Sequence, residues 1–262
     1  MILIRQLGKD KLVALTNRTD TGEDSWQPSF LKAAKDNSVR VVKLEELYGI
    51  PDLVLLSLEY DRLLHPSKFK SGSLYNIHFS YLPAYKGMYT SIWPILNGET
   101  FSGVTLHRID PGIDTGDIIN QAKFDIDIND TSRVLYSKYL ENSIQLFKEN
   151  YQLLLSGSVA SKRQPIIGST YYSKSSIDFK NITIDLKKTG FEIHNQVRAF
   201  CFPEYQLPSV LGIEVRGSRL LDTKSGLQSG TIIDEKDDQF TISTVDYDVL
   251  LLKSVQTNPT IL

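Results

Sequence analysis

The stretch DLVLLSLEYDRLLHPSKFKSGSLYNIHF, residues 52–79, contains the two strand candidates that decide the fold class. The first, DLVLLSL, is an almost continuous apolar run, which is typical of a strand buried on both faces of a parallel sheet. The second, YNIHF, alternates polar and apolar side chains. If it is extended, its period of two places Asn76 and His78 on one face and the apolar residues on the other.

Strands and helices alternate on both sides of this stretch. KLVALTNR and VRVVKL are strand candidates before it, with the helix candidate SFLKAAKDN between them, and SGVTLHRI and DIINQAKFDI are strand candidates after the short helix SIWPILN. A long helix is predicted over residues 132–155, with Asp130 or Thr131 as its N-cap and Gly157 just beyond its end. This order predicts an α/β fold with a mostly parallel sheet.

The last third of the chain has a different pattern. A helix beginning near Asp185 and ending near Phe200 is followed by Pro203 and Pro208, and the runs GIEVRG, GTIIDE, QFTISTV and DVLLLKSV then alternate between Gly and Asp turns. This pattern predicts a small, mainly antiparallel β unit. We therefore predict a catalytic domain over 1–165, a connector with a helix over 166–209 and a β-rich unit over 210–262.

Composition limits the class of protein. With 262 residues, 41% hydrophobic and 23% charged, the chain has an ordinary globular composition, and its net charge of −2 offers no basic surface for nucleic acid. Cys201 is the single cysteine and no Cys/His spacing predicts a metal site. No signal sequence or membrane-length apolar run is found, so we expect a soluble, cytoplasmic protein that binds neither a membrane nor a nucleic acid.

Asn76 and His78 are candidates for chemistry because of where their strand ends. Pro83 and Gly87 prevent regular continuation, so both side chains should lie near the carboxyl end of a parallel strand, where open α/β sheets bind ligands. A buried, hydrogen-bonded core histidine is the alternative interpretation. The loop DPGIDTGD, residues 110–117, supplies carboxylates that could orient an imidazole, although turn capping is the commoner use of Asp beside Gly.

Five elements in order resemble the folate-dependent formyltransferase family. They are NIH (76–78), the SYLP loop (80–83), NGE (97–99), GVT (103–105) and DTGDI (114–118). The resemblance covers most of residues 50–205 and implies a Rossmann-like formyltransferase fold. It also implies that Asn76, His78 and Asp114 are catalytic and that N10-formyltetrahydrofolate is a co-substrate, without a metal.

Within that family, the chain is most similar to the nucleotide-sugar N-formyltransferases, especially those that act on dTDP-4-amino-4,6-dideoxyglucose. KGMYTS (86–91), YYSKSSIDF (171–179) and VRAFCFPEYQLP (197–208) carry this similarity. It implies transfer of a formyl group to a dTDP-linked 4-amino-4,6-dideoxy sugar for O-antigen synthesis. Family members normally begin with a further strand and helix where this sequence has only MILIRQLGKD, so the resemblance implies a sheet without its first βα unit or a sequence that begins after it.

The resemblance also suggests binding residues. The folate is expected to contact Arg62, Leu63, Leu64, Ile113, Thr115, Gly116 and Asp117. The sugar nucleotide is expected to contact Tyr89, Thr90, Arg198, Tyr205 and Gln206. Packing is the competing interpretation for each of these side chains, and His65 and His107 are predicted to be structural.

Other functions remain open at this level. The acceptor could be a UDP-amino sugar, glycinamide ribonucleotide or methionyl-tRNA, or the chain could be a catalytically silent binding module with the same fold. The last alternative predicts a broken catalytic set, whereas all three residues are present. An exposed sheet edge would favour a homodimer.

Overall fold

The computed structural model describes residues 2–157 and 159–254. Six α-helices are found in this part of the chain: α1 (Ile2–Leu7), α2 (Phe30–Asp36), α3 (Leu44–Leu47), α4 (Trp93–Leu96), α5 (Ser132–Ser156) and α6 (Gly190–Phe200). The strands are β1 (Val13–Ala14), β2 (Arg40–Val41), β3 (Val54–Leu58), β4 (Ser73–His78), β5 (Lys86–Gly87), β6 (Phe101–Arg108), β7 (Ile118–Asp125), β8 (Tyr171–Tyr172), β9 (Ser209–Val210), β10 (Ile213–Leu220), β11 (Ile232–Glu235), β12 (Gln239–Ile242) and β13 (Val249–Lys253). Short 3₁₀ turns cover Lys9–Lys11, Pro66–Lys68 and Lys174–Ser176.

The described residues divide into two compact units. The first unit contains residues from 2–78, 105–120 and 146–164, and the second contains residues from 79–104, 121–145 and 165–254. The predicted domain boundaries at 165 and 209 stay predictions, and residues 255–262 of the predicted C-terminal unit lie outside the described residues. None of the described helices has the length and apolar character needed to cross a bilayer.

The central sheet has the strand order β3-β4-β6-β7. Strands β3 and β4 are parallel, with Leu55 opposite Leu74, whereas β4 and β6 are antiparallel, with Asn76 opposite His107. The predicted α/β class is confirmed, but the strand predicted at SGVTLHRI runs against its neighbour. The connection from β4 to β6 contains only the four-residue helix α4 instead of a long crossover helix, so β6 returns in the opposite direction.

The five-stranded sheet formed after residue 208 is antiparallel throughout, as the sequence predicts. Its order is β11-β12-β13-β10-β9, and helix α6 packs against β10. The buried cluster beneath the helix consists of Ile184, Ile193, Val197, Val210, Val215, Phe240, Ile242, Val249 and Leu251. Alternating strands and one amphipathic helix face therefore supply the core of this unit.

Side-chain caps set the starts of the two longest helices, and a glycine follows the end of α5. The hydroxyl of Thr131 accepts a hydrogen bond from the backbone N–H of Val134 at the start of α5, and Gly157 follows its end with φ +72°, both as predicted. The prediction of Asp185 at the start of α6 is wrong. Thr189 is the cap because its hydroxyl and the Glu192 carboxylate form a reciprocal capping box, whereas Asp185 accepts from the N–H of Lys187 in a turn.

His194 on α6 is buried in its neutral form. Its Nε2 lies 2.7 Å from the Ile128 carbonyl, which can only accept, so Nε2 carries the proton and Nδ1 accepts from the Ser218 hydroxyl at 2.8 Å. Burial lowers the pKa of His194 below its ordinary value. The folded protein therefore resists protonation of this ring.

We expect the free energy of unfolding to fall as the pH decreases from 7 to 5. The unfolded chain protonates His194 near its reference pKa of ~6.5, whereas the folded chain does so only at lower pH, with a slope of at most about 1.4 kcal/mol per pH unit. Urea unfolding at both pH values measures this fall, which should be smaller in His194→Gln than in the wild type. The exposed His65→Gln is the control, and an equal fall in the wild type and His194→Gln would contradict the prediction.

Candidate active site

Strand β4 presents Asn76 and His78 at its carboxyl end. Tyr75 and Ile77 on the opposite face are 0% and 3% exposed, so the strand is anchored by apolar packing while the two polar residues face the other way. His78 is itself 8% exposed. It is the last residue of the strand, and the chain leaves the regular sheet immediately after it.

The loop after β6 brings Asp114 to these two residues. Its carboxylate oxygens lie 3.5 Å from Nδ1 of His78 and 3.5 Å from Nδ2 of Asn76. The other two aspartates of the loop form structural hydrogen bonds. The carboxylate of Asp110 accepts from the Gly112 N–H and the Thr115 hydroxyl, as predicted for turn capping, and the carbonyl of Asp117 accepts from the Arg108 N–H.

His107 joins the cluster, although the sequence predicted only a structural role for it. Its Nδ1 lies 2.7 Å from the Arg108 carbonyl, so Nδ1 carries a proton, and its Nε2 lies 3.2 Å from Nδ2 of Asn76 and 3.7 Å from Asp114. An unprotonated Nε2 therefore accepts from the Asn76 amide. The seven-residue spacing between His107 and Asp114 gave no indication that His107 contacts Asn76. That contact depends on the antiparallel pairing of β4 with β6.

Gln164 fixes the backbone of this loop by hydrogen bonds. Its amide nitrogen donates to the carbonyls of Asp114 and Gly116, both at 2.8 Å, which fixes the amide orientation. Asp114 itself has φ +53°, in the left-handed region that costs a non-glycine residue energy. Sequence reasoning missed Gln164, since a glutamine in a connector carries no pattern that would single it out.

Gly116 should not tolerate a side chain. A Cβ there would lie 1.8 Å from the Arg108 carbonyl oxygen, whereas Gly49 has nothing within 4 Å of the same position. We expect Gly116→Ala to lower the free energy of unfolding by about 1–3 kcal/mol, because backbone must shift to admit the methyl group. Urea denaturation beside Gly49→Ala measures the difference, and equal stabilities would rule out the clash.

The residues predicted for folate lie in the first unit, on two segments. The guanidinium of Arg62 donates to the Tyr60 hydroxyl, and Leu64 packs against the same apolar cluster as Ile109, which precedes the Asp114 loop. Leu63 and Ile113 are 63% and 36% exposed. Exposed apolar side chains and an unpartnered, buried Oε1 of Gln164 among the described residues fit a flat ring with hydrogen-bond donors on its edge. The assignment of these residues to folate stays a prediction.

The residues predicted for the sugar nucleotide all belong to the second unit. Tyr89 packs edge-on against Phe179 with ring centroids 4.9 Å apart, and the carbonyl of Thr90 accepts from the Tyr139 hydroxyl. Gln206 donates its backbone N–H to the Phe202 carbonyl, and the adjacent Tyr205 is 66% exposed. The ring of Tyr205 packs on Phe202 with centroids 5.0 Å apart, so each of these residues has a local partner.

Arg198 differs from the other four because it is only 3% exposed. Its guanidinium donates to the Asn195 side chain and to the carbonyls of Asp127 and Asp130. These bonds hold the segment that precedes α5. Its contact with a substrate stays a prediction.

The fold and this cluster define an α/β protein in which one amide, two imidazoles and one carboxylate meet near the end of β4. Within the described residues, no group of three or more His, Cys, Asp or Glu side chains is arranged to hold a metal ion. Such a site is suited to proton transfer and to stabilising a developing negative charge.

Comparison with known proteins names the family. The formyl transferase model matches residues 21–150 and the formyl transferase C-terminal domain model matches residues 176–259. The structure of an N-formyltransferase from Helicobacter canadensis, in complex with folinic acid and dTDP-3-aminofucose, is 44% identical with a TM-score of 0.91 and covers 97% of this chain and 93% of that one. The chain belongs to the formyltransferase family.

Two further relatives show a high and a lower sequence identity to this chain. The structure of WlaRD, a sugar 3N-formyl transferase in the presence of dTDP and 5-N-formyl-THF, is 44% identical with a TM-score of 0.92 and covers 97% of this chain and 92% of that one. A methionyl-tRNA formyltransferase of Clostridioides difficile is 35% identical over 184 residues, which is 69% of this chain. The chain spans only 58% of that relative's length.

Proposed function

We propose that this protein transfers the formyl group of N10-formyltetrahydrofolate to the amino group of a dTDP-linked amino-dideoxy sugar. The observation that carries the proposal is the convergence of Asn76, His78 and Asp114 within 3.5 Å contacts at the end of β4. The 44% identity to two formyltransferase structures, described with dTDP-3-aminofucose and with dTDP, supports the class of acceptor. A role of the product in O-antigen synthesis stays part of the proposal.

The folate co-substrate supplies the formyl group, and the amine of the sugar is the nucleophile. Negative charge develops on the formyl oxygen during attack, and a donor aimed at that oxygen stabilises the transition state more than the ground state. The amide of Asn76 is that donor. One of its N–H groups is held by His107 at 3.2 Å, whereas the contact to Asp114 is longer at 3.5 Å, so the second N–H is the one to turn toward the formyl oxygen.

His78 is assigned to proton transfer. Because Nδ1 faces Asp114, we assign Nε2 to the reacting groups, where it takes a proton from the attacking amine or gives one to the leaving nitrogen. The carboxylate of Asp114, 3.5 Å from Nδ1, holds the ring orientation. No covalent bond to the protein is required, because the acceptor itself attacks the formyl carbon.

His107 is assigned as a positioning residue for Asn76. We expect His107→Asn to lower kcat by about tenfold at unchanged KM, because it retains a donor for the Arg108 carbonyl and removes the acceptor for the Asn76 amide. His107→Gln keeps an acceptor near the Nε2 position and should restore most of the rate. Steady-state kinetics of both variants test this assignment. If His107 had a purely structural role, kcat would fall equally in both variants.

The position of the acceptor amine needs a direct test. The sequence predicts a 4-amino sugar, and this stays a prediction, whereas the names of the two 44%-identical structures favour a 3-amino sugar. A panel of dTDP-3-amino, dTDP-4-amino and UDP-amino sugars, incubated with the formyl donor and followed by mass spectrometry, should give one added formyl group on a dTDP sugar. Formylation of none of them, with folate still bound, would remove the proposal.

A second acceptor class is methionyl-tRNA, which the Clostridioides difficile relative favours. The net charge of −2 argues against it, because phosphate neutralisation by Lys and Arg dominates nucleic-acid affinity. Charged methionyl-tRNA therefore belongs in the panel as a competing acceptor. Its formylation in place of every sugar would establish the second candidate.

We also propose a cytoplasmic homodimer. The buried, unpaired thiol of Cys201 supports a reducing compartment. Strand β11 is an edge of its sheet with Ile232 and Ile233 each 39% exposed, which supports pairing with a second copy. Light scattering of the wild type and of Ile233→Lys tests this, and a wild-type monomer at assay concentration would exclude the dimer.

A further inference from the structure

The second unit contains a concavity of about 610 Å³ whose lining is strongly basic. Its walls come from the segment before α5, from α6 and from β10, and they are formed by Ile128, Asn129, Thr131, His194, Arg198, Arg216, Gly217, Ser218, Arg219, Leu220 and Leu252. Three of these residues are arginine and none is acidic. Arg198 is the single member of the predicted substrate-binding set among them.

The hydrogen bonds of Arg198 and Arg216 go to neutral groups. Arg198 donates to an amide and two carbonyls, and Nε of Arg216 donates to the Lys253 carbonyl at 3.1 Å. Two carboxylates attract Arg198 without forming an ion pair with it: Asp130 pairs with Lys138, and Asp127 accepts from the N–H and the side chain of Asn129. Across residues 2–157 and 159–254, no carboxylate lies within 4.0 Å of any of the three guanidinium groups. The positive charge of the exposed Arg216 and Arg219 is therefore open to an anion.

A β-bulge directs two of the arginines to one surface. Residues three apart on a regular strand point to opposite faces, but the register of β10 against β13 shifts between Val215 and Gly217. The extra residue changes the alternation, so that the exposed side chains of Arg216 and Arg219 both line the concavity. Bulges of this kind commonly re-aim side chains beside binding sites.

The buried side of the concavity contributes one charged arginine and neutral hydrogen-bond donors. Burial lowers the pKa of Arg198 to about 10, which leaves the guanidinium charged at neutral pH. The hydroxyl of Thr131 already accepts from the Val134 N–H, so its own proton is available to donate. Because His194 is neutral and bonded on both ring nitrogens, the positive charge of the site comes from the arginines.

We propose that this concavity is a binding site for the phosphate groups of a phosphorylated small molecule, with Arg216 and Arg219 as the accessible ligands and Arg198 at the base. Planar guanidinium groups bind phosphate oxygens through two parallel N–H bonds. The volume exceeds that of one phosphate and falls in the range of small-molecule sites. Ile128, Leu220 and Leu252 supply an apolar wall for the organic part of the ligand.

The site goes beyond the proposed transfer reaction, because binding at it requires neither the folate nor Asn76, His78 and Asp114. The phosphate could come from the nucleotide part of the acceptor or from a separate phosphorylated ligand. Both sources share the diphosphate chemistry, so inorganic pyrophosphate is the first probe and dTDP is the second. Calorimetric titration of the full chain without folate measures both.

We expect pyrophosphate to bind the wild type and to bind the double variant Arg216→Ala/Arg219→Ala at least about tenfold more weakly, since each charged bond to an oxyanion contributes roughly one factor of ten. Arg5→Ala/Arg18→Ala removes the same charge from exposed positions outside the concavity and should bind like the wild type. Thermal melting verifies folding, and Arg219→Lys should give an intermediate affinity.

The dTDP titration separates the two sources. A parallel loss of dTDP affinity in the double variant assigns the site to the nucleotide of the acceptor, whereas unchanged dTDP affinity with lost pyrophosphate binding assigns it to a separate ligand. The proposal is overturned if the wild type does not bind pyrophosphate at millimolar concentration, if the double variant binds it equally well, or if the control double variant loses as much. Loss of formyl transfer would leave these binding results unchanged.

Discussion

We expect His78→Asn to lower kcat by about 10²- to 10⁴-fold and to change KM for both substrates by less than a few fold. General acid–base catalysis contributes rates of this size, and an asparagine amide cannot exchange a proton near neutral pH. The imidazole is 8% exposed, so bulk water does not replace it readily. Steady-state kinetics with the acceptor identified by the sugar panel provide the measurement.

The control for this variant is His65→Asn, at an exposed histidine before Pro66. It should retain wild-type kinetics. A His78→Asn enzyme with turnover within about tenfold of the wild type would place the proton transfer elsewhere and remove the assignment of this ring.

Asn76→Ala is expected to have the second large effect, a decrease in kcat of about 10²- to 10³-fold. This is the usual loss when one donor to a developing oxyanion is removed from a water-poor site. Because the donor acts on charge that appears only in the transition state, KM should stay nearly constant. The same variant also leaves Nε2 of His107 without its 3.2 Å donor, so stability is measured in parallel.

Asn76→Asp separates the electrostatic effect from the cavity, because it keeps the shape and removes the amide donor. It should be at least as slow as Asn76→Ala, since a carboxylate would repel the developing negative charge. The exposed Asn181→Ala is the neutral control. If Asn76→Asp turns over faster than Asn76→Ala, the amide is not acting as the oxyanion donor.

The fold class followed from local pattern. The apolar run forms β3 and the alternating run forms β4, but the expected burial of β3 on both faces is wrong. Strand β3 lies at the edge of the sheet and Leu58 is 44% exposed, whereas β4 lies between two strands and is buried on both faces. Strand-forming side chains are encoded within a few residues, and position in the sheet is not. The antiparallel strands after residue 209 were predicted for the same reason. The start of α6 was missed because Asp185 and Thr189 are both good caps, and only the reciprocal bonds between Thr189 and Glu192 select one of them.

The candidate site was predicted in part. Asn76 and His78 share a face because of a period of two, and the family resemblance added Asp114, which the structure places beside them. The Asp110 carboxylate caps a turn, which is the commoner use of Asp beside Gly. The sequence predicts only a structural role for His107, because its partner Asn76 lies on another strand, 31 residues away in the chain.

The sequence alone therefore determined most of the elements and the chemical types at the end of the central strand, because these depend on near neighbours in the chain. The tertiary structure decided the pairs between distant residues. Asn76 meets His107 because β6 lies antiparallel to β4, and Arg216 joins Arg219 because a bulge in β10 changes the alternation of side chains. Both depend on hydrogen-bond register between strands, which is fixed by packing across the whole sheet and leaves no periodic mark in either segment.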